Sequence, residues 1–156
     1  DLNPDFIFAY PSYNVRSTEI NAVLGRSQLP RLDANNQLRN RNLDAFLSGL
    51  DSRKFRTDFA VEGSSNYAFT LVIRDADPDY RDRVQNAMRE AKVEHRRGTS
   101  GGGNELRQPY LRRLYPEEFK RYPQVDHVHF YGYYIGNYPS LPQVKIKELA
   151  AFLNSI

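Results

Sequence analysis

The feature that most constrains this chain is one long helical run, Ser17 to Leu50, with Pro30 inside it. Ser17 or Thr18 supplies the cap and Glu19 the first-turn acid that start a helix. Ile20, Val23 and Leu24 fall on one helical face. Pro30 lacks an N–H and clashes with the preceding turn, so it kinks or divides the helix. The second half places Leu38, Leu43, Phe46, Leu47 and Leu50 towards a core. Its other face holds Asn35, Arg39, Arg41 and Asn42, the pattern of a solvated surface.

Downstream, "FRTDFAV" and "SNYAFTLVI" read as two strands joined by an "EGSS" turn. Asp77-Pro78 opens a second helix as cap plus first-position proline, with Tyr80, Val84, Ala87, Met88 and Ala91 facing inward. "VEHRR" reads as a short strand. A glycine loop and short helical pieces follow from Leu111 to Tyr122, then the strand "VHFYGYYIGNYP". Pro142 begins a last amphipathic helix with Val144, Leu149, Phe152 and Leu153 inward. This order predicts an α+β domain, a small sheet with helices packed on it.

Composition excludes some chemistries. The 156 residues include no cysteine, which removes disulfides, thiolate nucleophiles and cysteine-bound metals. No apolar stretch reaches the roughly 18 residues of a membrane helix, and no signal peptide is visible. The chain opens on Asp1 in extended, aromatic sequence, the expectation for a piece of a longer protein. The net charge is only +3, and 17 of the 22 cationic residues are arginines. Arginine suits bidentate contact with phosphate or carboxylate. A charge that small fits a phosphorylated ligand better than a nucleic acid.

"RRGTSGGGNELRQPYL" carries the densest polar chemistry. Its glycines let backbone N–H groups approach an anion, but a Walker ending is absent. Arg96, Arg97, Asn104, Arg107 and Gln108 surround the loop as a ligand clamp would; a plain surface turn is the alternative. His127 and His129, read on a strand, face the same side, yet no third ligand accompanies them and no metal site is assigned. Asp126 stands beside His127 as a possible acid–base partner or a turn residue. Tyr131 and Tyr133 point one way on that strand and Tyr134 the other. No G-x-S-x-G element is present.

"YNVRSTEINAVLGRSQLPRLD", Tyr13 to Asp33, resembles a signature of the DegT/DnrJ/StrS family of pyridoxal-phosphate-dependent nucleotide-sugar aminotransferases. Tyr13, Asn14, Arg16, Thr18, Ala22, Gly25, Gln28, Leu29, Leu32 and Asp33 occupy its positions, with Ser12 where a glycine is usual. "GGGNELRQPYL" and "YYIGNYPSL" resemble most the branch of 4-keto-6-deoxysugar 3-dehydratases. The resemblance implies the C-terminal small domain of the aspartate aminotransferase architecture. Residues 1–50 would form a dimer-facing segment and a long proline-interrupted helix, and 51–156 the small α+β domain.

It also implies function. The cofactor, pyridoxal 5'-phosphate or pyridoxamine 5'-phosphate, would sit mainly in an N-terminal domain outside this chain. That domain would supply the Schiff-base lysine, or a histidine in its place, so no catalytic residue is assigned here. Asn14 and Arg16 would reach the cofactor phosphate of the partner in a homodimer. Arg96, Arg97 and Arg107 would meet the substrate's diphosphate, with Asn104, Gln108 and Tyr110 at the sugar. The reaction would be C4 transamination or C3 dehydration of a nucleotide-linked 4-keto-6-deoxy sugar, in the cytoplasm, with no membrane, nucleic acid or metal. The residues read alone leave open a non-catalytic α+β module, such as an RNA binder, in which tyrosines stack on bases, or a degenerate fragment.

Overall fold

A computed structural model of the chain describes residues 17–97 and 103–156. The chain divides into two compact units, Asp1–Asp33 and Ala34–Ile156.

In the first unit, Thr18 in extended conformation precedes helix α1, Glu19–Gln28. A 3-10 turn, Leu29–Arg31, carries Pro30 and follows directly. Proline therefore converts one turn to the tighter form and does not end the run. The apolar stripe of α1 is uncovered, with Ile20, Val23 and Leu24 at 72%, 65% and 59% exposure.

Helix α2, Leu32–Gly49, carries the second unit's first core residues, Leu43, Phe46 and Leu47. Strand β1 is Ala68–Val72, helix α3 Pro78–Glu90 and strand β2 Arg96–Arg97. A short 3-10 turn, Glu105–Arg107, leads into α4, Pro109–Leu114. Then come α5, Pro123–Tyr131, β3, Gly132–Gly136, and α6, Gln143–Ser155. Asp77 caps α3 as expected, its Oδ1 accepting from the backbone N–H of Asp79 and Tyr80.

The sheet is antiparallel in the order β1-β3-β2. Alternation puts Phe69, Leu71, Tyr133 and Ile135 on one face. Leu43, Phe46, Val84, Met88, Ile146 and Leu153 close over that face to form the core. Phe46 and Phe69 stack with centroids 4.5 Å apart. Tyr133 is embedded here; burial pushes its phenol up to about 12, and its hydroxyl donates to Arg81 O at 3.2 Å. Gly49 permits close approach of α2 and α6, since a Cβ there would lie 3.0 Å from Ala150 Cβ.

Four expectations are corrected. "FRTDFAV" is not a strand: only Phe55 bridges Ile73, so no hairpin forms. "VHFYGYYIGNYP" is half helix, because Pro123 starts α5 and carries it to Tyr131. The chain passes straight from α5 into β3 at Gly132, where any Cβ would meet Val128 O at 2.5 Å. Asn42 is not solvated but fully buried. On the last helix Val144 is 58% exposed, and the buried positions are Ile146, Ala150 and Leu153.

Candidate functional site

The polar loop of the sequence is anchored at its C-terminal half on α5. The anchor is Asp126. Arg107 grips it with two parallel hydrogen bonds, Nε to Oδ1 at 2.7 Å and Nη2 to Oδ2 at 2.6 Å. Such bidentate, charge-assisted pairs are the strongest of their kind. The Asn104 side-chain amide donates to the same Oδ1 at 2.8 Å. Asn104 Oδ1 accepts from Leu106 N–H, which caps the 3-10 turn.

Two further contacts fix the loop. The backbone N–H of Asn104 donates to His129 Nδ1 at 3.0 Å. A donor at that nitrogen leaves it unprotonated, so His129 is the neutral tautomer with its proton on Nε2. The Arg107 guanidinium also lies over two rings, 4.3 Å from the Phe119 centroid and 4.8 Å from that of Phe130. Asn104 is 3% exposed. The pair is partly shielded, its side chains 26% and 20% exposed, so solvent does not dissolve it as it would a surface pair.

Electrostatics follow from these contacts. The Arg107 guanidinium, with the Asn104 amide, holds the Asp126 carboxyl below the usual carboxylate range. Asp126 in turn raises Arg107. Burial first, then the Arg107 charge, lowers His129 from its ordinary 6.5. A histidine depressed in the folded state contributes stability that is complete above its unfolded value and lost as pH falls through the folded one. The carboxylate has the same sign at lower pH. The loop anchor should therefore loosen in two steps on acidification, one beginning near pH 6.5 and one below the ordinary aspartate value of 3.8. Hydrogen exchange at the Asn104 amide reports it; a His129→Gln chain should lose the upper step only.

The other predicted residues distribute as follows. Arg97 donates to Phe130 O at 3.0 Å, which places it beside the ring that Arg107 covers. Arg96 pairs in register with Tyr134 and Arg97 with Tyr133. The two arginines thus point to opposite faces of the sheet. Arg96 is exposed, and the hydroxyl of Tyr134 is its side-chain partner. Gln108 is half-buried between the 3-10 turn and α4. Asn14 and Arg16, and the side chain of Tyr110, lie outside the described residues.

The structure thus brings Asn104, Arg107 and Arg97 together and sets Arg96 apart. His127 and His129 lie on a helix, not a strand, so they diverge: His127 Nε2 donates to Ile73 O at 2.8 Å. Asp126, read beside His127, serves Arg107. The signal for that role was the i,i+3 spacing of Asp126 and His129, which presents both on one face once the segment is helical. Tyr131 belongs to α5, while Tyr133 and Tyr134 do alternate as expected.

Comparison with known proteins assigns the chain. Its relatives include GDP-4-keto-6-deoxy-D-mannose 3-dehydratase of Yersinia pseudotuberculosis, 24% identical over 146 residues, covering 92% of this chain and 37% of the relative. The E. coli GDP-4-keto-6-deoxy-D-mannose-3-dehydratase structure with hydrated pyridoxal phosphate superimposes with TM-score 0.71 at 20% identity, over 96% of this chain and 38% of that one. A Streptococcus pneumoniae protein named as a sugar aminotransferase gives TM-score 0.74 at 17% identity, over 94% and 37%. The fold is therefore that of the C-terminal small domain of these enzymes, and the chain spans under two-fifths of their length. The family model for DegT/DnrJ/EryC1/StrS aminotransferases matches residues 4–153, and the chain belongs to that family.

Proposed function

We propose that this chain is the C-terminal portion of a pyridoxal- or pyridoxamine-phosphate-dependent enzyme acting on a nucleotide-linked 4-keto-6-deoxy sugar. The observation that carries the reading is the loop "GGGNELRQPYL", held on Asp126 by Arg107 and Asn104 within a chain of this family. A loop held in this way can present the amide and guanidinium donors beside it, Gln108 and Arg97, to the hydroxyls and phosphates of such a substrate.

The lysines of this chain do not fit the covalent role. A Schiff-base lysine needs a desolvated pocket or a neighbouring cation to become nucleophilic. Lys54 Nζ is spent on Asn154 O at 2.6 Å, Lys120 and Lys145 pair with Glu117 and Glu148, and Lys92 and Lys147 are exposed. No step of the carbonyl chemistry is therefore assigned to this chain. When bound, the cofactor supplies the electron sink. The chain's part is to bind and orient: Asn14 and Arg16 at the cofactor phosphate of a partner in a homodimer, the loop at the substrate.

Within the anchor, Asn104 and Arg107 act as positioning residues, because each turns donors onto Asp126 and so holds the loop on α5. That leaves Gln108 and Tyr110 as the contacts to the sugar and Arg97 as the cation nearest its diphosphate. The loop and the dehydratase relative favour loss of the C3 hydroxyl, and a histidine in place of the Schiff-base lysine would fix that outcome. The enzyme would work in the cytoplasm. In the intact enzyme, Gln108→Ala should raise KM for the nucleotide sugar roughly tenfold, the worth of one or two substrate hydrogen bonds. Cofactor absorbance should not change. An unaltered KM would remove Gln108 from the site.

A further inference from the structure

We infer that the groove between α5 and the Phe55–Ile73 bridge is a separate anion site, which takes the dianionic phosphoryl group of free phosphate or of a phosphate monoester. The inference does not rest on the nucleotide-sugar reading and concerns a surface apart from the loop anchor.

The site grows from a short piece of antiparallel pairing. Phe55 bridges Ile73, and two backbone hydrogen bonds flank the bridge, Arg56 N–H to Val72 O at 2.8 Å and Arg74 N–H to Lys54 O at 2.9 Å. Phe55 and Ile73 are buried in the core. Alternation turns Arg56 and Arg74 to the opposite face, as diagonal neighbours across the bridge. Both line a groove of about 400 Å³, whose other wall is Pro123, Gln124 and His127 of α5. Gln124 and His127 are three residues apart and share a helical face. Asp126, which holds the loop anchor, projects about 100° away from His127. The groove therefore lies on a different side of α5 from Arg107 and Asn104.

The charges in this groove are unbalanced. Arg56 and Arg74 share one carboxylate, Asp58, whose Oδ1 lies 3.6 Å from Arg56 Nε and 3.8 Å from Arg74 Nη2. Both distances are longer than a hydrogen bond. The Asp58 side chain is 60% exposed, and ion pairs of that kind hold weakly. Asp58 is the one carboxylate among the described residues that line the groove. Arg74 Nε donates to Ser52 O at 2.6 Å, which fixes the guanidinium and leaves its Nη atoms for a ligand. The Gln124 side-chain amide adds a donor from α5, whereas His127 commits Nε2 to Ile73 O. A carboxylate ligand would satisfy one guanidinium fork. A tetrahedral dianion has oxygens for both, and its charge matches theirs once Asp58 swings out to solvent.

The probe is inorganic phosphate, titrated calorimetrically into the intact enzyme with its cofactor bound. Saturable binding is expected. Arg56→Gln should weaken it roughly tenfold, about one charge-assisted contact. Asp58→Asn should tighten it, because the competing carboxylate is gone. Arg113→Gln, at an exposed arginine of α4, should change nothing. Binding that does not saturate, wild-type affinity in Arg56→Gln, or an equal loss in Arg113→Gln would each overturn the assignment. Acetate bound as tightly as phosphate would overturn the dianion class. Glucose 1-phosphate identifies the source: tighter binding than inorganic phosphate supports a monoester ligand, and weaker binding supports the free anion.

Discussion

Replacing Asn137 with alanine should cost about 3 kcal/mol of stability, more than most polar substitutions. Asn137 is 1% exposed and ties three segments together. Its amide donates to Arg39 O and Asn66 O, both at 3.0 Å, and its Oδ1 accepts from Asn42 Nδ2 at 3.2 Å. Alanine would leave Asn66 O short of this donor and one Asn42 amide proton short of an acceptor, while Arg39 O keeps its partner within α2, and each unsatisfied buried group costs roughly 1–3 kcal/mol. Asn42 retains Tyr138 O and Gln143, so the loss falls below the full sum. In a domain of this size the melting temperature should fall by roughly 6–12 °C. Gln143→Ala, which removes one contact from the edge of the same cluster, should cost about 1 kcal/mol. Equal effects from the two, by thermal or urea unfolding, would show that Asn137 is not the centre of the network.

The second large effect concerns activity. In the intact enzyme, Asp126→Ala should lower kcat/KM on the order of 100-fold, the scale on which mispositioned binding groups act. The substitution removes the shared acceptor of Arg107 and Asn104 and leaves a guanidinium against Phe119 and Phe130 without its counter-ion. Asp126 touches no substrate in this reading, so the loss should come through the loop. Cofactor absorbance should stay at the wild-type level, and Asn104 amide exchange should accelerate. Asp126→Asn can keep one acceptor oxygen and should recover part of the activity. A variant with wild-type kcat/KM and a fast-exchanging Asn104 amide would separate the anchor from function.

The helices were legible because their signals are local. Thr18, Asp77-Pro78 and Pro142 stand at the ends where caps and prolines belong, and the apolar spacing of Leu43, Phe46 and Leu47 marked the core face of α2. The sheet was less legible. The alternation in "FRTDFAV" looks like a strand, but only Phe55 finds a partner there, and pairing is not written in one segment. The α5–β3 junction failed for a related reason. "VHFYGYYIG" is rich in aromatic residues that favour strands, and nothing short of the contact between Gly132 and Val128 shows where the helix stops. Asn42 looked solvated because its partners, Asn137 and Gln143, are about a hundred positions away.

The site divided in the same way. The residue types around the glycine loop were readable. Their division of labour was not. That Arg107 and Asn104 share Asp126 is seen only in the fold, and Arg96 and Arg97 looked like a pair until the register turned them apart. Adjacent residues in a strand never share a face, so the doublet was two separate signals.

The substrate class is open to one direct measurement. The intact enzyme, loaded with cofactor and supplied with L-glutamate, is incubated with GDP-4-keto-6-deoxymannose, and the product is identified by nuclear magnetic resonance at C3 and C4. Cofactor-dependent consumption, giving a 3-deoxy sugar or a 4-amino sugar, is the expected result. An unchanged 4-keto sugar, with this and other nucleotide-linked 4-keto-6-deoxy sugars and with the cofactor shown to be bound, would contradict it.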